Sequence, residues 1–562
     1  MNATQATATA AGERRARLVI FGAWGTAIGL GLRHAWHGRY EIMGDAVSYL
    51  DIGQAFAQGD WANAINGYWS PLYPWALGVA VAIARADPQH EFVVIALVNV
   101  LMYLIALIAF GALLKELTRW RDEFARQNGG GRPLPAWVWL ALCYLVFMWS
   151  SLHVLSVSDI TPDMAFAAVV YLCTTLLLRL ARGDTSWRAA ISLGAALGIG
   201  FWIKVPMIGL APVFLACAFI ATRPFPRGFL HVAGAALVFG LVVAPLAAAL
   251  SWQKGRLTIG DSPRLNLAWN MNHVPRSFWL GGPPDLGYPV HPPRKIHESP
   301  PAFEFARAIP AAYPPWHDPA YWYEGVTPRW NARGLRESLI ESRMVYERLL
   351  ISQSPFVAAI VCLVLLGGNV RRWLTCALAL WPMWIIAAAG LCLFAIVHVE
   401  TRYIGQYLAL AMAAPLTVVR VQNRSARAAG VLTIVLAFSV ARPVALRAIS
   451  PYDASGVART SVIVAQALRE VGVRPGDRAA LLRAGRGGGA YWARLAGVQI
   501  VAETPSADAF WRAEQSARLS VIAAMADTGA RVLVASELPK DADSAGWLRL
   551  GRTNWHAYRL DR

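Results

Sequence analysis

The sequence predicts a polytopic α-helical membrane protein of about eleven transmembrane helices, followed by a small α/β domain. Hydrophobic residues make up 56% of the 562 residues, and charged residues make up only 15%. A soluble chain of this size could not bury so much apolar side chain. The apolar residues are also gathered into long runs, which short arginine-rich loops separate.

Each predicted transmembrane helix corresponds to a hydrophobic run close to the roughly 20 residues that cross a bilayer. A shorter apolar run at 72–85 is predicted to form a re-entrant or interfacial helix. The predicted spans are 16–33, 91–114, 136–152, 164–181, 187–203, 207–222, 229–250, 355–370, 373–397, 403–420 and 428–445.

Lysine and arginine residues are concentrated in alternate loops, which the positive-inside rule assigns to the cytoplasmic side. The formal charge of +18 therefore indicates helix orientation, and nucleic acid is not an expected partner. An odd number of spans with a cytoplasmic N-terminus places the C-terminal domain outside. The basic loops contain Arg14, Arg15 and Arg17, then Lys115, Arg119, Arg121, Arg126 and Arg132, then Arg179, Arg182 and Arg188, then Arg223 and Arg227, then Arg371 and Arg372, and finally Arg420, Arg424 and Arg427.

The predicted outer face carries the loops with unusual composition. The transmembrane domain is predicted to occupy residues 1–450, with outer loops at 34–90 and 251–350. The second loop is rich in tryptophan, tyrosine and proline, and we expect most of its aromatic residues to be structural, with one or two forming a lid. Residues 451–562 alternate predicted strands and helices, which indicates a small extracytoplasmic α/β domain.

The elements predicted for this C-terminal domain follow the alternation of apolar residues. They are a helix over 461–471, strands over 478–482 and 498–503, a helix over 508–528 and a strand over 531–536.

Asp45 follows the first span and precedes a helical pattern at 46–57 that contains Tyr49. A carboxylate at the membrane surface can act as a general base on an acceptor hydroxyl or amine. The alternative is that Asp45 only caps the helix, which composition alone favours. Further along the loop lies Trp69-Ser70-Pro71-Leu72-Tyr73-Pro74, and Tyr49 and Tyr73 are candidate pocket residues.

Acidic residues also occur at the start of the fourth span, where Asp159 and Asp163 are one turn apart if that segment is helical. Asp159 or Thr161 could equally be a simple helix cap. Two neighbouring carboxylates can raise the pKa of one of them toward the working range of a base.

Cations occur at two other outer helix ends. Lys204 lies in an almost loopless turn after the fifth span, where it could bind a phosphate or extend to the headgroups. The turn His398-Val399-Glu400-Thr401-Arg402-Tyr403 holds several ionisable residues at a predicted membrane boundary. Such residues are costly there unless paired or used. A weak surface pair between Glu400 and Arg402 is the alternative.

The Asp45 motif, the segment from Trp69 to Pro74 and the arginine-alternating layout together resemble the GT-C glycosyltransferases. The similarity is to the group that contains protein O-mannosyltransferases, the aminoarabinose transferase (ArnT) and the RgtA/B/C/D-like enzymes, and it covers roughly residues 14–445. The resemblance implies the GT-C fold, Asp45 as catalytic base and Asp159 and Asp163 as supporting acidic residues. It further implies Lys204 and Arg402 as donor-phosphate ligands.

The function expected from this resemblance is inverting transfer of a hexose or pentose from a polyprenyl-phosphate donor, during cell-envelope glycan synthesis. The acceptor is a glycan, lipid or protein outside the bacterial inner membrane. His398, Glu400 and Tyr403 are expected in the substrate pocket. No cofactor is required; a divalent metal is possible but not indicated, although His291, His297 and Glu298 leave a zinc site open.

The competing hypothesis is a transporter or flippase of lipid-linked sugars without transferase activity. That class typically has ionisable groups at mid-membrane and internal repeats. Here the candidate charged residues lie at helix ends, and the two halves of the sequence show no evident repeat.

Overall fold

A computed structural model of the protein describes most of the chain. The described residues are 3–42, 44–87, 90–127, 131–184, 186–222, 227–274, 293–305, 311–323, 325–449, 457–483, 490–539 and 545–560.

Most of the described chain is α-helical, as the long apolar runs predict. A π-helical turn, Ser150–Val154, continues α6, and short 3-10 turns occur at Pro319–Trp322 and Asn423–Ser425. The α-helices are α1 (Ala3–His37), α2 (Ala46–Ala57), α3 (Trp61–Ala64), α4 (Leu72–Ala84), α5 (Glu91–Gln127), α6 (Ala136–Trp149), α7 (Asp163–Ala181), α8 (Trp187–Ile203), α9 (Met207–Ala221), α10 (Arg227–Lys254), α11 (Ser262–Met271), α12 (Pro314–His317), α13 (Ala332–Ser352), α14 (Ser354–Leu366), α15 (Val370–Ala379), α16 (Trp381–Val397), α17 (Thr401–Val418), α18 (Ala426–Ile449), α19 (Val457–Glu470), α20 (Tyr491–Ala496), α21 (Ala507–Arg512) and α22 (Gln515–Ala526).

Each of the eleven predicted spans overlaps helical residues, but the span predicted over 373–397 covers two separate helices, α15 and α16. Within the described ranges, six helices are long and apolar enough to cross a membrane, namely α1, α5, α6 with its π-helical turn, α7, α10 and α18. Two further candidates are bent pairs, α13 with α14 at 62° and α15 with α16 at 74°. The helices α4, α8 and α9 are apolar but shorter. The chain is a multi-pass helical membrane protein, and the count of eleven spans stays a prediction.

Proline explains where the two bent pairs break. Pro355 and Pro382 each lie at the first positions of the second helix of a pair. Proline has no backbone N–H to donate and its ring clashes with the preceding turn, so it begins a helix readily but interrupts one that continues.

The helices pack closely through small residues and leave apolar faces outward. A Cβ atom on Gly194 of α8 would lie 2.2 Å from the carbonyl oxygen of Ala235 in α10, so glycine permits the close approach of these helices. On α5, exposed apolar residues recur every three or four positions and form one stripe along the helix. A stripe of this kind suits contact with lipid; it consists of Leu97, Leu101, Ile105 and Ile108.

The predicted C-terminal α/β domain is present, but its sheet also recruits the long loop. The strands are β1 (Arg132–Pro133), β2 (Pro293–His297), β3 (Ala302–Phe305), β4 (Arg420–Val421), β5 (Arg478–Leu482), β6 (Gln499–Thr504), β7 (Val532–Ala535), β8 (Trp547–Arg549) and β9 (His556–Arg559). β1 and β4 form an isolated antiparallel pair. The other strands form one sheet in the order β2-β3-β6-β5-β7-β9-β8.

Within this sheet, β5 is parallel to β6 and β7, and the outer neighbours pair antiparallel. The strands predicted over 478–482, 498–503 and 531–536 are β5, β6 and β7. The single helix predicted over 508–528 is wrong, because the backbone is extended at Ala513 and Glu514 and separates α21 from α22.

A buried ion cluster attaches this domain to the first predicted outer loop. The guanidinium of Arg494, in α20, donates to Asp51 of α2 at 2.6 Å and to Glu91 of α5 at 3.1 Å. All three side chains are less than one-tenth exposed. The second oxygen of Asp51 accepts from the backbone N–H of Ala312 at 2.9 Å. The sheet domain, the long loop and α2 therefore share one polar junction.

We predict that Arg494→Ala destabilises the protein by about 3–5 kcal/mol, because it leaves two carboxylates buried without their cation. Arg531→Ala is the matched control, since Arg531 is half-exposed and pairs with Asp477 at 3.3 Å. Such surface pairs contribute about 0–1 kcal/mol. The readout is the thermal unfolding midpoint in detergent, and equal midpoints for the two variants would show that the junction does not stabilise the docked domain.

Candidate active site

Four helix ends converge on one group of charged side chains. Asp45 precedes α2, Asp163 begins α7, Lys204 follows α8, and Glu400 and Arg402 lie at the start of α17. The helix N-termini carry partial positive charge, which favours carboxylates at these positions. Residues that are up to 357 positions apart in the sequence thus meet at one end of the helical bundle.

The guanidinium of Arg402 is the centre of this cluster. It donates to Asp45 at 3.1 Å, to Asp163 at 3.1 Å and to Glu400 at 2.6 Å. A further donation reaches the Tyr403 hydroxyl at 3.1 Å. Only 8% of the Arg402 side chain is exposed, so the weak surface pair considered from the sequence does not describe it. A buried guanidinium needs such partners, because desolvation of an unpaired charge is costly.

Lys204 joins the cluster through Asp163. The Nζ atom donates to one oxygen of Asp163, whose other oxygen accepts from Arg402. The same ammonium lies 3.9 Å from the centre of the Tyr403 ring, a favourable cation–π contact. Burial lowers the pKa of Lys204, and the charge of Asp163 opposes that shift. The lysine therefore does not simply extend toward lipid headgroups.

Asp45 is held from two sides. One carboxylate oxygen accepts from Arg402, and the other accepts from the indole N–H of Trp316 at 3.2 Å. The side chain makes no capping hydrogen bond to α2, so the structure does not support the simple helix-cap interpretation. With 19% of its surface exposed against 3% for Asp163, Asp45 is the more accessible of the two carboxylates.

Trp316 positions Asp45, and the sequence does not reveal this role. In the sequence, Trp316 is only one of many aromatic residues in the long loop. Its backbone carbonyl accepts from Ser48 of α2 at 2.7 Å and from the indole of Trp69 at 3.2 Å. One tryptophan therefore fixes both the helix that follows Asp45 and the carboxylate itself. No local motif marks Trp316, because its partners lie more than 200 positions away.

Asp159 lies beside the cluster and not within it. The α7 helix begins at Asp163, so Asp159 is outside the helix and also makes no cap. Within the described residues, its carboxylate has no hydrogen bond or salt bridge, although its carbonyl accepts from Asn99 at 3.1 Å. Burial raises the pKa of Asp159 to about 7 despite nearby Arg447. Its predicted catalytic role stays a prediction.

Glu400 and His398 form the more open side of the cluster. His398 lies 3.5 Å from Glu400, and each side chain is about one-third exposed. Burial alone would raise the pKa of Glu400, but His398 and Arg402 outweigh it and bring the pKa to about 2. Glu400 is therefore ionised at any physiological pH.

Tyr49 and Tyr73 are buried behind Asp45. Their rings meet edge to face at 5.6 Å, and the Tyr73 hydroxyl donates to Asn99 at 2.8 Å. Because Asn99 also contacts the Asp159 backbone, this layer packs the start of α2 against the loop before α7. Their predicted place in a substrate pocket stays a prediction.

The zinc alternative receives no support from the part of the chain that the structure describes. His291 lies outside the described residues. His297 is 2.8 Å from the Pro300 carbonyl, and Glu298 pairs with Lys295. The described ranges hold no group of three potential metal ligands.

The chain is a multi-pass membrane protein whose helix ends carry a cluster of two cations and three carboxylates around the buried Arg402. Its fold is similar to that of ArnT from Cupriavidus metallidurans bound to undecaprenyl phosphate, with a TM-score of 0.55, 12% identity and coverage of 97% of each chain. The apo state of the same ArnT matches with a TM-score of 0.51 and 14% identity, and the match covers 92% of this chain and 93% of the ArnT chain.

The apo oligosaccharyltransferase of Archaeoglobus fulgidus gives a TM-score of 0.48 at 10% identity, over 92% of this chain and 69% of that one. No protein-family model and no curated protein sequence matches. The likeness to ArnT shows that the chain has the GT-C fold, and the fold predicted from the sequence is confirmed.

We predict that the wild-type protein loses stability as the pH rises, because Asp159 ionises, and that Asp159→Asn prevents this loss. A carboxyl whose pKa is higher in the folded than in the unfolded chain binds more protons when folded, so its ionisation destabilises the fold. For Asp159 this loss of stability develops between the ordinary pKa of 3.8 and the raised pKa of about 7. The variant should unfold at a higher temperature than the wild type at pH 8, and the difference should be much smaller at pH 3, below this pH range. Parallel pH curves for the two proteins would contradict this assignment.

Proposed function

We propose that the chain is an inverting glycosyltransferase, which moves a sugar from a polyprenyl-phosphate donor to an acceptor on the extracytoplasmic face. The observation that carries this proposal is that Asp45 and Asp163 both pair with the buried guanidinium of Arg402, while Lys204 joins the same cluster through Asp163. A partly accessible carboxylate beside two cations suits a reaction that needs one base and one anionic leaving group.

Lys204 and Arg402 are proposed to hold the donor phosphate. Both cations are buried or nearly so, and a phosphate oxygen gains more from a desolvated cation than from one in water. In the structure their partners are carboxylates, so a phosphate would exchange with or add to Asp45 and Glu400. Asp163 is proposed to stay in place and to position the two cations, since it bridges them and is the most buried carboxylate of the cluster.

Asp45 is proposed to take the proton of the acceptor hydroxyl or amine. The acceptor atom then bonds to the anomeric carbon as the bond from that carbon to the phosphate oxygen breaks. The electron pair leaves with the polyprenyl phosphate, whose charge Lys204 and Arg402 stabilise. A single displacement of this kind inverts the anomeric centre and needs no cofactor, although a divalent metal remains compatible with it.

The remaining predicted residues have proposed supporting roles. Tyr403, beneath the Lys204 ammonium, would fix the direction of that cation. His398 and Glu400 form the open side, where substrate groups would enter. Tyr49 and Tyr73 would maintain the wall behind Asp45.

The likeness to an ArnT structure that holds undecaprenyl phosphate supports a lipid-phosphate donor. We further propose that the protein lies in a bacterial inner membrane, with a cytoplasmic N-terminus and an extracytoplasmic C-terminal domain. Glycans, lipids and proteins are all compatible acceptors, and either hexose or pentose could be transferred.

We predict that Asp45→Asn lowers kcat by roughly 100-fold or more, because the amide cannot accept the acceptor proton. Lys204→Ala is expected to lower kcat/KM by roughly 10- to 100-fold through loss of a charged phosphate contact. The assay is sugar transfer from an undecaprenyl-phosphate donor in proteoliposomes.

Asp87→Asn is the matched control for Asp45→Asn, since Asp87 lies on the same predicted loop and pairs with His90 at the surface. It should transfer at the wild-type rate. Wild-type transfer by both Asp45→Asn and Lys204→Ala would remove the proposed site. Movement of a lipid-linked sugar across the bilayer, without any transfer, would favour the transporter hypothesis.

Trp316→Phe tests whether the tryptophan positions Asp45. The change removes one N–H donor but keeps an aromatic ring, so we expect kcat to fall by roughly tenfold with little change in KM. Trp330→Phe, on the same loop but exposed, is the control and should leave both constants unchanged. A rise in KM alone would instead indicate that Trp316 contacts the substrate.

A further inference from the structure

A cavity of about 260 Å³ lies at the other end of α17 from the candidate active site. Its lining includes Val418, the last residue of α17, whereas Arg402 is in the first turn. At a rise of 1.5 Å per residue, the helix carries Arg402 and Val418 roughly 24 Å apart. None of the residues that line the cavity belongs to the cluster around Arg402.

Glycine and a short strand pair shape this cavity. A Cβ atom on Gly367 would lie 2.7 Å from the carbonyl oxygen of Arg420, and one on Gly368 would lie 1.9 Å from the side-chain nitrogen of Gln422. Gly368 also has a φ of +73°, which favours glycine. The turn after α14 can therefore approach β4 closely only because both residues lack a side chain.

The lining is rich in hydrogen-bond donors and carries only positive charge. Arg372 and Arg420 both line the cavity, together with Asn369 and Gln422, and no aspartate or glutamate lies among the described residues of the lining. Trp373 lines it too, and its indole N–H is buried without a hydrogen-bond partner in the described structure. A buried donor without an acceptor costs free energy, which a bound acceptor would recover.

Two arginines and an unpaired indole N–H fit a phosphate group. Guanidinium groups bind phosphate oxygens through paired, charge-assisted hydrogen bonds. The surface around the cavity is apolar, since Leu365 of α14 and Leu374 and Leu378 of α15 are exposed. An acyl chain could lie against these leucines while its headgroup enters the cavity. Basic pockets between helices bind anionic headgroups in this way.

We propose that this cavity binds the phosphate group of an anionic phospholipid from the surrounding membrane. The headgroup phosphate contacts Arg372, Arg420 and the Trp373 indole, and the acyl chains lie along α14 and α15. The site is separate from the proposed donor site and does not depend on the transferase activity.

The test uses the full-length protein, purified in detergent and stripped of lipid. The probes are dihexanoyl phosphatidylglycerol, dihexanoyl glycerol without phosphate, and inorganic phosphate. The unfolding midpoint is followed against probe concentration for the wild type and for the Arg372→Gln/Arg420→Gln double variant. Arg371→Gln is the control, because Arg371 is the exposed neighbour and does not line the cavity.

Phosphatidylglycerol should raise the wild-type midpoint to a plateau. Each arginine should contribute roughly tenfold to the apparent affinity, so the double variant loses about 100-fold and the control less than about twofold. The phosphate-free lipid should have no saturable effect. An equal response to both lipids, or an unchanged affinity in the double variant, would overturn the proposal.

Inorganic phosphate separates the two possible sources of the ligand. A weak effect from phosphate alone supports the lipid headgroup. An arginine-dependent effect from phosphate as strong as that from phosphatidylglycerol would overturn the lipid source and leave a site for a soluble phosphate.

If the double variant does not fold, Arg372→Lys and Trp373→Phe provide the test. The first keeps the charge but loses the paired donors, and the second removes the indole N–H while keeping a smaller aromatic ring. Each should weaken phosphatidylglycerol binding severalfold, and wild-type affinity in both would overturn the proposal.

Discussion

The buried guanidinium of Arg402 is the interaction on which the site depends. Its donors reach three carboxylates from three separate parts of the chain, namely Asp45, Asp163 and Glu400. Arginine suits this role because its planar donors can serve several acceptors at fixed angles, which a lysine cannot do. The starts of α2, α7 and α17 must therefore keep their relative positions, because otherwise the guanidinium of Arg402 would lose its carboxylate partners. Through Asp163, the same constraint fixes Lys204 at the end of α8.

The α2 helix connects this cluster to the sheet domain. Asp45, Ser48 and Asp51 follow one another at intervals of three residues, so they lie near one face of the helix. Asp45 and Ser48 contact Trp316, while Asp51 contacts Ala312 and Arg494. The long loop and the C-terminal domain thus hold the helix that presents the proposed base. These contacts explain why the C-terminal domain packs against α2.

The helical fold was predictable because hydrophobic runs are a strong and local signal. Each predicted span overlaps helical residues, but the break between α15 and α16 lies inside the span predicted over 373–397 and was not predicted. The sheet was only half predictable. Strands β5 to β7 carry their own apolar pattern, but β2 and β3 belong to a loop dominated by proline and aromatic residues. Their pairing with β6 depends on tertiary contacts that no window of sequence contains.

The candidate site shows the same division. Charged residues at predicted membrane boundaries are conspicuous, which is why Asp45, Lys204 and Arg402 stand out in the sequence alone. The sequence could not show which of these residues pair. It therefore could not distinguish Asp163, which pairs with both Arg402 and Lys204, from Asp159, which lies beside the cluster. Trp316 and Arg494 could not be found at all, because tryptophan and arginine are common in this chain and their partners are distant.

The most direct test of the central claim is a cryo-EM structure of the protein in nanodiscs with undecaprenyl phosphate, the donor carrier without its sugar. The account predicts phosphate density within hydrogen-bond distance of Lys204 Nζ and the Arg402 guanidinium, with Asp163 still bridging the two cations. Undecaprenyl phosphate bound only away from Lys204 and Arg402, with every salt bridge of Arg402 unchanged, would contradict it.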